Sequence, residues 1–98
     1  MHQLLTIIGK RKLKNEIIQD LFKEGCAIIN STYGRSYMSD TNFFVSLGFS
    51  PDPEKIIITC LVSPTHVPKI YELLNTKYEF NKKNTGIAFA CNINHINI

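Results

Sequence analysis

Apolar residues recur along the chain in short runs of two different periods, and the switches between them lay out the elements. Residues 3–8, Gln-Leu-Leu-Thr-Ile-Ile, form a short, partly β-branched run closed by Gly9, the pattern of a well-buried strand. Over residues 10–23 the period becomes helical. Leu13, Ile17 and Leu21, flanked by Ile18 and Phe22, share one side, while Lys12, Glu16, Gln19, Asp20 and Lys23 lie elsewhere as a wet face, and Gly25 is a natural stop. Residues 26–31 are short and apolar again, which predicts a second strand ending near Thr32-Tyr33-Gly34-Arg35. Polar residues 36–40 then lead into Thr41-Asn42-Phe43-Phe44-Val45-Ser46-Leu47-Gly48, which reads as a capped helical turn stopped by glycine.

Pro51-Asp52-Pro53 breaks the chain, and residues 55–62, Lys-Ile-Ile-Ile-Thr-Cys-Leu-Val, are the clearest strand in the sequence. Ser63-Pro64-Thr65 opens a second helix. Proline fits only within a first helical turn, so Pro68 makes Thr65 the expected N-cap, with Val67, Ile70, Tyr71 and Leu74 on the buried face. A polar connection over 81–85 precedes a fourth strand over 86–91, and an asparagine-rich tail follows. The order β-α-β-β-α-β predicts an α+β, ferredoxin-like domain spanning 1–98, a four-stranded antiparallel sheet with two helices on one face. At 98 residues a second independent core has no room. In the third strand Ile56, Ile58, Cys60 and Val62 point one way and Ile57, Thr59 and Leu61 the other, so the sheet is apolar on both faces. Two helices cover one face only, and self-association is the simplest cover for the other.

Composition narrows the function classes. The chain is 44% hydrophobic and 19% charged, values of a folded globular protein. A net charge of +3, concentrated in Lys10, Arg11, Lys12 and Lys14, is too mild and local to call for nucleic acid. No apolar run reaches the roughly 18 residues of a membrane helix, and the N-terminus lacks the layout of a secretory signal, so a cytoplasmic protein that is not itself a membrane protein is expected. Cys26, Cys60 and Cys91 are odd in number, far apart and set among apolar neighbours, as suits reduced, buried core thiols.

His2, His66 and His95 are dispersed without paired spacing, which speaks against a metal site. No cysteine or serine stands beside a base, and the acidic pairs Asp52/Glu54 and Glu16/Asp20 sit on a turn and on a solvated helix face, so no enzyme is expected. The segment Lys82-Lys83-Asn84-Thr85-Gly86 combines cations, a hydroxyl and backbone amides able to cradle an anion, and is equally readable as a solvated turn. Arg35 after Gly34 has the planar fork that clamps a carboxylate or phosphate, or is a loop arginine in a weak surface pair. The cations at the start of the first helix oppose its dipole and read as a soluble basic face or as a surface for an anionic partner. Phe43, Phe44 and Phe49 read as local packing or as a docking patch.

Gly34-Arg35 at the end of the second strand, the Lys55-Ile-Ile-Ile strand, and Lys83-Asn84-Thr85-Gly86-Ile87-Ala88-Phe89 entering the last strand together resemble the nitrogen-regulatory PII family, over nearly the whole chain and most closely its short, divergent members. The resemblance implies a homotrimer with effector clefts between neighbouring subunits. It places Gly34 and Arg35 at the base of the family's T-loop, and Lys82, Lys83, Asn84, Thr85 and Gly86 in its B-loop. It further implies a signalling protein, needing no cofactor, that binds a small anionic effector such as an adenine nucleotide. The effector state passes through residues 36–53 to a target protein such as a transporter or a metabolic enzyme. This sequence departs from the family: residues 36–53 are shorter than a full T-loop and carry no match to its modified tyrosine, the B-loop region holds the single glycine Gly86, and Asn94-His95-Ile96-Asn97-Ile98 stand where C-terminal arginines would meet phosphates. The alternative is a trimeric scaffold or metal binder similar to the copper-tolerance trimers.

Overall fold

The computed structural model describes residues 2–35, 54–82 and 85–97. The predicted turn over 41–48, the polar stretch 36–40, the phenylalanines 43, 44 and 49, and site candidates Lys83 and Asn84 lie outside them.

Four strands, β1 (Gln3–Gly9), β2 (Ala27–Arg35), β3 (Glu54–Val62) and β4 (Gly86–Asn92), form one sheet in the order β2-β3-β1-β4, every neighbour antiparallel. Helices α1 (Lys14–Lys23) and α2 (Val67–Lys77) connect β1 to β2 and β3 to β4. This is the ferredoxin-like arrangement read from the periodicity. Ile17 and Leu21 of α1 and Val67, Ile70 and Leu74 of α2 pack with Leu5, Ile7, Ile56, Ile58, Cys60 and Val62 in one core, in which Leu5, Ile7, Ile58 and Ile70 have no solvent exposure.

Strand register sorts the opposite face into rows. Thr32, Ile57, Ile8 and Ile87 align across the sheet, as do Asn30, Thr59, Thr6 and Phe89, and then Ala27, Leu61, Leu4 and Cys91. No element among the described residues covers these rows, and Leu4 and Phe89 are 39% and 45% exposed. Cys91 therefore departs from the expected buried thiol: it is exposed, because the alternation along β4 turns Ala88 and Ala90 toward the helices and Ile87, Phe89 and Cys91 away.

Local entries also differ from the spacing-based reading. The first helix opens with a 3-10 turn, Arg11–Leu13, before α1 begins. The second opens with another, Pro64–His66, whose N-cap is Ser63, and α2 follows with His66 as its cap residue, so Thr65 is not the N-cap. Pro64 starts the turn without losing a hydrogen bond, and the Thr65 hydroxyl is spent on the Ser63 hydroxyl at 3.1 Å. Strand β2 ends at Arg35, as read from the sequence, but carries an unforeseen bulge at Ile28 (φ 52°) between Ala27 and Ile29. The extra residue restores Ile29 to the core side and leaves Ile28 outside.

Candidate functional site

The end of the sheet where β1 and β2 finish and β3 and β4 begin gathers the candidate residues. Gly9 pairs with both Ile56 and Gly86, and Gly34 and Arg35 pair with Lys55 and Glu54. Yet Gly34-Arg35 and Gly86 belong to the two outer strands. Three strand spacings separate those edges, roughly 14 Å, so within one chain the two halves of the candidate site share an end of the sheet without meeting.

Each half has its own local logic. A Cβ on Gly34 would come within 3.2 Å of Ile57 Cδ1, so the glycine lets the adjacent strand pack closely where the chain leaves β2. On the other edge the ring of Phe80 lies over the paired glycines Gly9 and Gly86: a Cβ on Gly86 would stand 2.4 Å from Phe80 Cζ and one on Gly9 3.3 Å from it. Gly86 thus has a packing role that nothing in the motif revealed. Lys82 pairs with Glu79 at 3.1 Å on an exposed turn. Beside this turn, α2 and β4 enclose an open hollow of about 520 Å³ lined by Tyr71, Asn75 and Phe80 along with Gly86, Ala88 and Ala90. Aromatic walls, one amide and an adjoining turn make it suited to a flat, partly polar ring.

Charge buried elsewhere is structural. Asp20, expected on a wet helix face, is buried: its Oδ2 accepts hydrogen bonds from Lys77 Nζ (2.8 Å) and Tyr78 Oη (2.5 Å), tying α1 to the end of α2. Burial works against its charge, but the Lys77 and Tyr78 hydrogen bonds outweigh it and hold the carboxyl below its ordinary value. Burial, with the Asp20 carboxylate, pushes the Tyr78 hydroxyl up. Sequence could not show this link, because its partners stand 57 and 58 residues away. The Cys26 thiol beside it, together with burial, pushes the Cys60 thiol up, which makes Cys60 a poor nucleophile. Among the described residues no group of three or more histidine, cysteine or acidic side chains could hold a metal, and no helix is long and apolar enough to cross a membrane.

The architecture is shared with several solved structures, PII-like signalling proteins among them. CPII from Thiomonas intermedia K12, a nitrogen regulatory PII-like protein bound to ADP, AMP and bicarbonate, matches with a TM-score of 0.70 at 17% identity, over 94% of this chain and 89% of its own. The periplasmic divalent cation tolerance protein CutA from Archaeoglobus fulgidus matches with a TM-score of 0.72 at 12% identity, over 97% and 86%. A DUF3240 family protein from Shewanella baltica OS155 gives 0.70 at 14%, over 99% and 94%. No family model and no curated protein matches the sequence. At these identities the likeness is one of fold, and it agrees with the resemblance read from residues 34–35, 55–58 and 83–89.

Proposed function

We propose that the chain is a PII-like regulatory protein that assembles as a homotrimer and binds a small anionic effector, an adenine nucleotide, in clefts between its copies. Gly34 and Arg35 of one copy and residues 82–86 of the next form the two walls of each cleft. The observation that carries this reading is the position of the two half-sites on opposite edges of one sheet end: a second copy is what brings an edge like β2 to an edge like β4. The bare apolar rows of the sheet supply the surface for that copy, and the hollow beside Phe80 has room for a nucleobase. The fold shared with CPII, itself bound to ADP and AMP, favours this effector class.

Function then follows from differential affinity. An effector that binds one arrangement of residues 36–53 better than another shifts their population, and a target protein such as a transporter or metabolic enzyme reads the result. The protein catalyses nothing, requires no cofactor and works in the cytoplasm.

Calorimetry with an adenine-nucleotide panel tests the proposal. Wild type should bind ADP or ATP, and Arg35→Ala or Lys83→Ala should weaken binding by about 1.5 to 3 kcal/mol, the worth of a hydrogen bond to a charged group, with thermal stability nearly unchanged. Equal affinities in all three proteins, or no binding to wild type, would remove the cleft from consideration.

A further inference from the structure

The basic cluster opening the first helix is not used by the cleft. Lys10, Arg11, Lys12 and Lys14 fall within five residues of chain, at the end of the helix where the dipole disfavours cations. The 3-10 turn Arg11–Leu13 has no acidic residue in its first turn, and Glu16 alone stands in the first turn of α1. Among the described residues none of these cations forms an ion pair: Lys77 is bound to Asp20 and Lys82 to Glu79, but the cluster has no such carboxylate.

Its geometry is focused rather than diffuse. The Arg11 guanidinium lies 4.6 Å from the centroid of the Tyr33 ring and Lys14 Nζ 5.0 Å from the same centroid, and Lys14 Nζ donates a hydrogen bond to Tyr33 Oη at 3.3 Å. Both cations therefore contact one exposed aromatic ring on β2. Arg11 also lines an open hollow of about 370 Å³, together with Lys10, Lys12 and the carboxylate-bearing Glu54. Glu54 also makes a contact of its own. Arg11 retains fork donors and Lys14 retains ammonium donors beyond the Tyr33 bond.

We propose that Arg11 and Lys14, positioned by Tyr33 and supported by Lys10 and Lys12, form a second oxyanion site, which takes a phosphate or diphosphate group of a soluble ligand. Two cations on one ring match the charge of a compact, doubly charged oxyanion. They match less well the spaced carboxylates of an acidic peptide or the broad field of a lipid surface. Glu54 on the hollow's wall is the strand partner of Arg35, so the site lies at the same end of the sheet as the proposed cleft but is built from different side chains.

The probe is inorganic pyrophosphate, followed by backbone NMR and calorimetry on the full chain. Saturable shifts at Arg11, Lys14 and Tyr33 are expected. Arg11→Gln combined with Lys14→Gln should weaken binding about tenfold or more, as loss of charge-assisted hydrogen bonds implies. Arg35→Ala should leave pyrophosphate binding at this site intact, so failure of the cleft and failure of this site are separable. Arg11→Lys keeps the charge, loses the fork, and should weaken binding less than the double variant. Arg11 is exposed and Lys14 half-buried, and a retained unfolding midpoint confirms the fold. Absence of shifts at these residues at millimolar pyrophosphate would overturn the proposal. So would an unchanged affinity in the double variant, or binding confined to vesicles of phosphatidylserine and phosphatidylcholine.

Discussion

The two faces of the sheet are built from the same strands and much the same residues, yet they meet different fates. On one side Leu5, Ile7, Ile56, Ile58, Cys60 and Val62 are sealed beneath α1 and α2. On the other, Leu4, Ile8, Ile57, Leu61, Ile87 and Phe89 align in rows with no cover among the described residues. Residues such as Thr6 and Thr59 soften the second face without making it a water-facing surface. An antiparallel sheet destined for solvent on one side shows alternation of apolar and polar positions; β3 does not. A strand apolar at successive positions inside a fold with one helical layer points to burial between copies of the chain, and this is what connects the fold to the proposed intersubunit cleft.

The contrast can be broken most sharply at the closed face. Ile58→Ala removes a fully buried side chain and should cost about 2 to 5 kcal/mol, whereas Leu4→Ala on the open face should cost the isolated chain less than about 1 kcal/mol. Urea unfolding at several protein concentrations separates the two: the Ile58→Ala loss should persist at every concentration, and the Leu4→Ala loss should grow as the wild type associates. Equal costs for both in a dilute, monomeric sample would mean that the open face is covered within the chain.

A smaller effect is expected at the link that holds the helical layer together. Asp20→Asn should destabilise by about 1 to 3 kcal/mol at neutral pH, since it removes the charge accepting from Lys77 and Tyr78. The folded Asp20 carboxyl titrates below its ordinary value. The stabilisation it confers is therefore complete above the unfolded-state pKa of about 3.9 and is lost as pH falls through the lowered folded-state value. Thermal midpoints measured from pH 7 downward should converge between wild type and Asp20→Asn in that acidic window. Parallel curves would show that the carboxylate does not sustain the link.

Strand identity and the uncovered face were legible because both follow from period-2 patterning, which a single segment carries in full. Gly34 and Gly86 could be found as site candidates from their motifs, but their packing against Ile57 and Phe80 could not, since it depends on which residues the register places beside them. Asp20 looks like any exposed helix acid until α2 returns Lys77 and Tyr78 to it. The Thr65 cap was misread because hydroxyl spacing does not distinguish a 3-10 entry from an α-helical one, and Cys91 because an apolar neighbourhood in sequence does not say which face of an edge strand a thiol takes. Phe22 was likewise set with the buried residues of the first helix by spacing alone, whereas it is exposed beyond the width of the core-facing stripe.

Assembly is the claim on which the rest depends, and the mass of the protein in solution tests it most directly. Light scattering at micromolar concentration should give three times the 11.2 kDa chain mass; a soluble, folded species of one chain mass under the same conditions would contradict the account.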